Sequence, residues 1–231
     1  MSASSPLPPV GIVGFGNMGE ALAAGLLHRY AKTRVMVLEQ NAEAKAKALL
    51  QYKLPVAENL GQLYKESQIL VIAVKPQDLS GVVGQLADLG FGKSGKGLIS
   101  IAAGVKTSWF TQKLSSADVV RFMPNLAAKV GASLVGVSLA ADCQESLAAQ
   151  AQLIAGALGD AALVPEKSMA AVTGISGSGI AFVFRFLHAL AMGGVREGLS
   201  YPQALAFALA TADGAVKLLR ETSEHPIAFE S

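Results

Sequence analysis

The sequence predicts an α/β chain, a doubly wound and mainly parallel sheet followed by a separate all-α segment. Three observations carry this. Short β-branched runs alternate with longer Ala- and Leu-rich stretches from Val10 to about residue 164, the rhythm of strand, crossover helix and next parallel strand. A glycine-rich turn sits at the first strand-to-helix junction, Gly14 to Gly19. After Pro165 the β-branched runs stop and two long apolar helical stretches follow.

Taken in order, residues 1–9 form a Ser- and Pro-rich leader with no basic start and no apolar core of the kind a signal peptide needs. Strands are expected at Val10 to Val13, Arg34 to Leu38, Ile69 to Val74, Leu98 to Ile101 and Val119 to Phe122, with later ones at Ser133 to Ser138 and Ala162 to Val164. Helices are expected at Asn17 to Tyr30, Ala42 to Tyr52, Gln77 to Leu89 and Thr107 to Leu114, the last capped by Thr107. Residues 10–165 therefore read as one domain and 166–231 as a second. In the second, Ser178 to Arg196 and Pro202 to Thr222 are helical, Ser200 caps the latter, and Pro202 stands in its first turn. Both stretches are apolar almost all round, which predicts an obligate dimer or higher homo-oligomer built through residues 166–231.

Composition narrows the function. Of 231 residues 52% are hydrophobic and 16% charged, which excludes a disordered chain. A formal charge of +2 without a dense Lys/Arg cluster argues against nucleic acid as partner. Cys143 is the single cysteine, so no intramolecular disulfide forms and a reducing, cytoplasmic setting is expected. Arg185 and His188 interrupt the most apolar segment, Gly179 to Val195, which argues against a membrane span. No metal-ligand pattern is present, and His28, His188 and His225 are scattered and read as structural.

The glycine-rich turn carries the chemistry. Val10 to Val13 lead into Gly14-Phe15-Gly16-Asn17-Met18-Gly19 and then into a helix. In a Rossmann-type site Gly14 permits the tight turn, Gly16 lets a pyrophosphate approach the backbone, and Gly19 lets the helix pack closely on the strand. The phosphate then meets the helix N-terminus. Glu39 stands 20 residues past Gly19, where a carboxylate accepts from adenosine ribose hydroxyls. It repels a 2′-phosphate, which favours NAD, although Lys45 and Lys47 offer compensation; a solvated surface acid is the other reading. Ala73-Val74-Lys75-Pro76 and Ala102-Ala103-Gly104 are placed where the carboxyl ends of parallel strands line the ligand crevice, or are simple turns.

The ordered set of Gly14 to Gly19, Ala73-Val74-Lys75-Pro76-Gln77, Ser100-Ile101-Ala102-Ala103-Gly104-Val105, Arg121-Phe122-Met123-Pro124-Asn125, Val172 to Gly179, Ala181-Phe182-Val183-Phe184 and Glu224-His225-Pro226 resembles the pyrroline-5-carboxylate reductase family. The likeness runs from Val10 onward. It implies a Rossmann domain joined to an all-α dimerisation domain, NADPH or NADH as cofactor, and reduction of the cyclic imine 1-pyrroline-5-carboxylate to L-proline. It places Ser176 and Ser178 at the start of a helix facing the cleft and Asn125 near the nicotinamide, with a helix cap for Ser178 and a turn closure for Asn125 as the plainer roles.

The family continues past Glu-His-Pro into a Thr-Ser-Pro-Gly-Gly-Thr-Thr-like run that helps hold the substrate, and this sequence stops at Ser231, so the second domain reads as C-terminally shortened. Leu126-Ala127 stand where a Thr-Pro pair is usual, and Ile180 where Pro is usual. Two other readings therefore stay open: a dinucleotide-binding module without turnover, and a related imine or β-hydroxyacid reductase.

Overall fold

A computed structural model of the chain describes residues 7–230, apart from 31 and 116. It divides into two compact units, one ending at Gly177 and the other beginning at Ser178. This division falls later than the change in sequence texture at Pro165.

The first unit holds a seven-stranded sheet. In chain order its elements are β1 (Val10–Val13), α1 (Asn17–Arg29), β2 (Val35–Leu38), α2 (Ala42–Leu50), α3 (Leu60–Glu66), β3 (Ile69–Ile72), α4 (Leu79–Asp88), β4 (Gly97–Ser100), α5 (Thr107–Leu114), β5 (Asp118–Met123), β6 (Ser133–Leu139), α6 (Glu145–Gly156), β7 (Gly159–Leu163) and α7 (Met169–Val172). The sheet order is β2-β1-β3-β4-β5-β6-β7, parallel throughout except where β6 runs antiparallel to β5. Successive crossovers leave β1 in opposite directions, toward β2 and toward β3. The switch point of the sheet therefore lies between β1 and β3, where Val13 pairs with Ile72.

The strand period of two sorts side chains onto two helical layers. Val10, Ile12, Ile69, Val71, Ile99, Val120 and Phe122 pack with α1 and α6. Val13, Leu70, Ile72, Leu98 and Val119 pack with α3, α4 and α5. Strands covered on both faces need apolar residues at every position, which is why β3 reads Ile-Leu-Val-Ile with all four buried.

Several expectations change in detail. Thr107 is not the cap of α5; Lys106 occupies that position, and the Thr107 hydroxyl instead donates to Glu166 Oε2 at 3.0 Å. The seventh strand begins at Gly159, three residues before the expected start, because β7 is an edge strand whose Asp160, Ala161 and Leu163 stay exposed and leave no apolar run to read. Helices α3 and α6 were not anticipated. Asn59 caps α3, its side chain accepting from Gln62 N, while α6 buries Leu147, Ala151, Ile154 and Ala155 on one helical stripe.

The second unit is a pair of helices, α8 (Gly179–Arg196) and α9 (Tyr201–Thr222), followed by a short turn at Pro226–Phe229. Ala191, Ala204 and Ala208 let the two helices approach, and Leu187, Val195 and Leu205 pack around them. Ser200 and Gln203 form a capping box at the start of α9, with Pro202 in the first turn as expected. His188 Nδ1 lies 3.0 Å from the Tyr201 hydroxyl, joining the two helices, and His225 accepts from Ile227 N in the final turn. Phe182 and Phe207 are 71% and 66% exposed, so the outer faces of this pair find no cover within the unit. The helical run Glu166–Arg196 is long and apolar enough, by length and composition, to cross a membrane.

Candidate active site

The first strand ends at Val13 and the chain turns at once. Gly14 adopts φ +96°, a conformation that favours glycine, and a Cβ there would come within 3.0 Å of the Ala73 carbonyl oxygen. The glycine thus holds the end of β1 against the residue after β3, and Ala73 N donates back to Val13 O at 2.8 Å. A Cβ on Gly19 would collide with the Gly14 carbonyl, so this glycine is required for α1 to start so close to the turn.

Gly16 is different. Its φ of −74° suits any residue and a Cβ would meet nothing within 4 Å, so no part of the protein demands glycine there. What a side chain at Gly16 would fill is open space above the N-terminus of α1. No side chain caps that helix, and its first internal bond runs from Glu20 N to Gly16 O. The amides of Asn17, Met18 and Gly19 are consequently the unpaired donors of a first turn, where the helix dipole favours an anion.

Glu39 closes the turn from the β2 side. Its Oε2 accepts from Phe15 N at 2.7 Å, and its Oε1 accepts from Gln40 N and Asn41 N at 2.7 and 2.8 Å. Oε1 is filled by its two donors, and Oε2 keeps room for one more. Phe15 points the other way into the core, edge-on to Tyr52. Tyr52 donates to Glu20 Oε1, which also pairs with Lys47 at 2.6 Å. Burial pushes the Glu20 carboxyl up, but the hydrogen bonds from Lys47 and Tyr52 and the charges of Lys47 and Lys129 outweigh it and leave the group below its ordinary value. Lys47, one of two lysines expected to offset a 2′-phosphate, is therefore committed to Glu20.

The remaining expected residues follow from strand register. Ser100 pairs with Ile72 and with Arg121 across the sheet, so Ala73 to Pro76, Ala102 to Gly104 and Asn125 all emerge at the carboxyl ends of adjacent strands. Lys75, Pro76, Ala103 and Gly104 are exposed; Ala102 is buried, its N–H bonded to Ser100 Oγ. Asn125 caps the turn Leu126–Val130 through its side-chain oxygen, as the plainer reading had it, and its Nδ2 donates to Ser176 Oγ at 3.0 Å. The second bond joins residues 51 apart in sequence.

One expectation at this end fails. Ser176 does not open a helix: it lies within a π-helical stretch, Thr173–Gly177, that continues directly from α7. Its neighbouring N–H groups are therefore not the free donors of a helix start, and what it presents is its hydroxyl. A Cβ on Gly177 would strike the Met123 side chain, so this stretch packs tightly on the end of β5. Ser178, in the second unit, is the N-cap of α8, but its hydroxyl makes no capping bond.

Sequence reasoning missed a polar knot below this edge. Arg121, 4% exposed on β5, places Nη1 2.5 Å from Glu166 Oε1, while Thr107 binds Glu166 Oε2. The three lie up to 59 residues apart, and no local pattern announces them. It also passed over Lys129, whose Nζ reaches Asn17 Oδ1 at 2.8 Å; the only local signal was a cation in an otherwise small and apolar Ala-Ala-Lys-Val run.

Comparison with known proteins agrees with this layout. Residues 166–230 match the pyrroline-5-carboxylate reductase dimerisation family, and residues 9–104 match a family described as NADP oxidoreductase, coenzyme F420-dependent. A pyrroline-5-carboxylate reductase of Synechocystis is 36% identical over 219 residues, covering 94% of this chain and 81% of the relative. One from Methanosarcina acetivorans is 39% identical over 220 residues, with the same coverage. The chain belongs to the pyrroline-5-carboxylate reductase family. The fold of the family is also shared with solved structures at 24% identity, the Coxiella burnetii reductase at TM-score 0.87 (96% of this chain, 83% of that one) and the Plasmodium falciparum enzyme with NADP bound at 0.86 (97% and 83%). The match to the dimerisation family spans the helices that the unit leaves uncovered, and it supports homo-oligomerisation of the chain.

Proposed function

We propose that the chain is a working pyrroline-5-carboxylate reductase, reducing the cyclic imine 1-pyrroline-5-carboxylate to L-proline with NADPH or NADH, the last step of proline biosynthesis. The observation that carries this reading is the open, uncapped amino end of α1 beyond Gly16, set at the switch point of the sheet. The reduced nicotinamide coenzyme, when bound, supplies the hydride that the imine carbon C5 accepts.

The protein's own residues bind and orient. The amides of Asn17, Met18 and Gly19 receive the pyrophosphate over Gly14 and Gly16. Glu39 accepts from the adenosine ribose with the capacity left on its carboxylate, and with Lys47 paired to Glu20 the adenosine end tilts toward the coenzyme without a 2′-phosphate. Ala73, Val74, Lys75 and Pro76 form one wall, and Ala102, Ala103 and Gly104 the other. Because Asn125 donates to Ser176 Oγ, the Ser176 proton is turned away from the amide and stays free to hydrogen-bond a substrate acceptor. The family resemblance offers Ser178, whose hydroxyl makes no capping bond, as a second hydroxyl for the substrate. An imine that enters protonated already has an electrophilic carbon, so these hydroxyls need only orient it and need not transfer a proton.

A second copy of the chain covers the outer faces of α8 and α9 through residues 166–231; Arg185 and His188 within that run favour a protein partner over a bilayer. The low net charge favours no nucleic acid, and the single cysteine fits a cytoplasmic setting.

The test follows loss of reduced-nicotinamide absorbance with the pyrroline substrate while coenzyme binding is titrated separately. Ser176→Ala is expected to lower kcat about tenfold or more with coenzyme affinity retained. Tight coenzyme binding with no oxidation would make the chain a dinucleotide-binding module. Oxidation only with other cyclic imines or β-hydroxyacids would reassign the substrate.

A further inference from the structure

One cation at the turn has no role in the reading above. Lys129 sits in the short turn Leu126–Val130, which packs on α1, and its ammonium rests 2.8 Å from the side-chain oxygen of Asn17, the first residue of that helix. Among the described residues no carboxylate lies within ion-pair distance of it. The acid that feels its charge, Glu20, is already occupied by Lys47 and Tyr52. An amide oxygen is a neutral acceptor, so the ammonium keeps its full charge beside unpaired helix N–H groups and the positive end of the α1 dipole. Like-signed charge gathered there is unfavourable until an anion arrives. Beside it, the space over Gly16 is open.

We infer that Lys129 is a coenzyme-binding residue, its ammonium oriented by Asn17 and paired with the dinucleotide pyrophosphate. This rests on the reading of the Gly14 to Gly19 turn given above. Asn17 uses one of three ammonium donors and leaves two for phosphate oxygens, and a compact point charge on a flexible stem can follow a phosphate without demanding one geometry. The group it meets is common to NADH and NADPH. The consequence is specific: Lys129 sets affinity for both coenzymes and discrimination between neither.

The experiment measures Kd of NADPH, NADH and ADP-ribose for the full chain and for Lys129→Met, Lys129→Arg and Gly16→Val. Lys129 is exposed, so its replacement leaves the fold in place, which thermal unfolding verifies. Lys129→Met is expected to weaken all three ligands about tenfold, with the NADH/NADPH ratio unchanged, and Lys129→Arg to regain most of the loss. Kd values within twofold of the parent, or a loss confined to NADPH, would overturn the assignment. Gly16→Val separates the two levels of argument. If it binds coenzyme as the parent does, the turn itself is not the phosphate site. If it abolishes binding while Lys129→Met does not, the lysine alone is misassigned.

Discussion

The two compact units solve the same problem differently. In the sheet unit most large apolar side chains find their partners within the chain: Phe91, Phe110 and Phe122 are essentially inaccessible, each enclosed between the sheet and a helical layer. Among the described residues of the helical unit only Gly179, Ala191, Ala204 and Ala208 are buried, while Phe182, Phe184, Phe186 and Phe207 face outward. Two helices share one seam, and a helix that is apolar on more than one side cannot satisfy the rest against a single neighbour. The difference teaches that burial in the first unit is completed within the chain, whereas the second keeps apolar faces that its own two helices cannot cover.

The sharpest test sets one phenylalanine from each unit against the other. Phe122→Ala is expected to cost about 3–5 kcal/mol in urea unfolding, because the sheet cannot collapse onto the void. Phe184→Ala should change the unfolding free energy of the dilute chain by less than about 0.5 kcal/mol, yet shift the oligomer toward monomer in sedimentation. Equal losses of stability at dilution would break the comparison.

A smaller effect belongs to the polar knot. Arg121→Met removes the partner of Glu166, whose side chain is 25% exposed, and should cost about 2 kcal/mol, below the figure for a fully buried pair because water still reaches the carboxylate. Adding Glu166→Gln should return part of that loss. If the pair of changes costs as much as the two single ones summed, the residues act independently and the knot holds nothing together.

The smallest effect is one of pH. The Glu20 carboxyl is lowered in the folded chain, so its contribution is complete above its ordinary value of 4.5 and is lost as pH falls through the lowered folded value. Glu20→Gln should flatten that acid limb by lowering stability near neutrality by less than about 1 kcal/mol, while leaving the stability at the acid end little changed. An acid limb as steep as the parent's would assign the loss to other carboxylates.

Much of the candidate site could be read from the residues because its parts are local. Gly14, Gly16 and Gly19 fall within six residues, and their strand, turn and helix follow in order. The Asn125–Ser176 bond, the three-residue knot and the Lys129–Asn17 contact lie 51, up to 59 and 112 residues apart. A sequence pattern carries no register between such distant segments. The reading of Ser176 as a helix start failed for a related reason: Gly and Ser around it look like a boundary, but packing of Gly177 on Met123 carries the helical run through as a π stretch.

By itself the sequence determined what backbone sterics and hydrophobic period can encode: the strand-and-helix order, the two-faced burial of the central strands, the glycine turn, and the surplus of apolar surface after Pro165. Tertiary structure decided where α3 and α6 lie, which hydroxyl Asn125 orients, which acid holds Arg121, and that Lys47 is taken while Lys129 stands at the turn. The physical reason is range. Dihedral preference and periodicity act over one turn or one strand, whereas a hydrogen bond or ion pair between distant segments exists only once the sheet has brought their ends together.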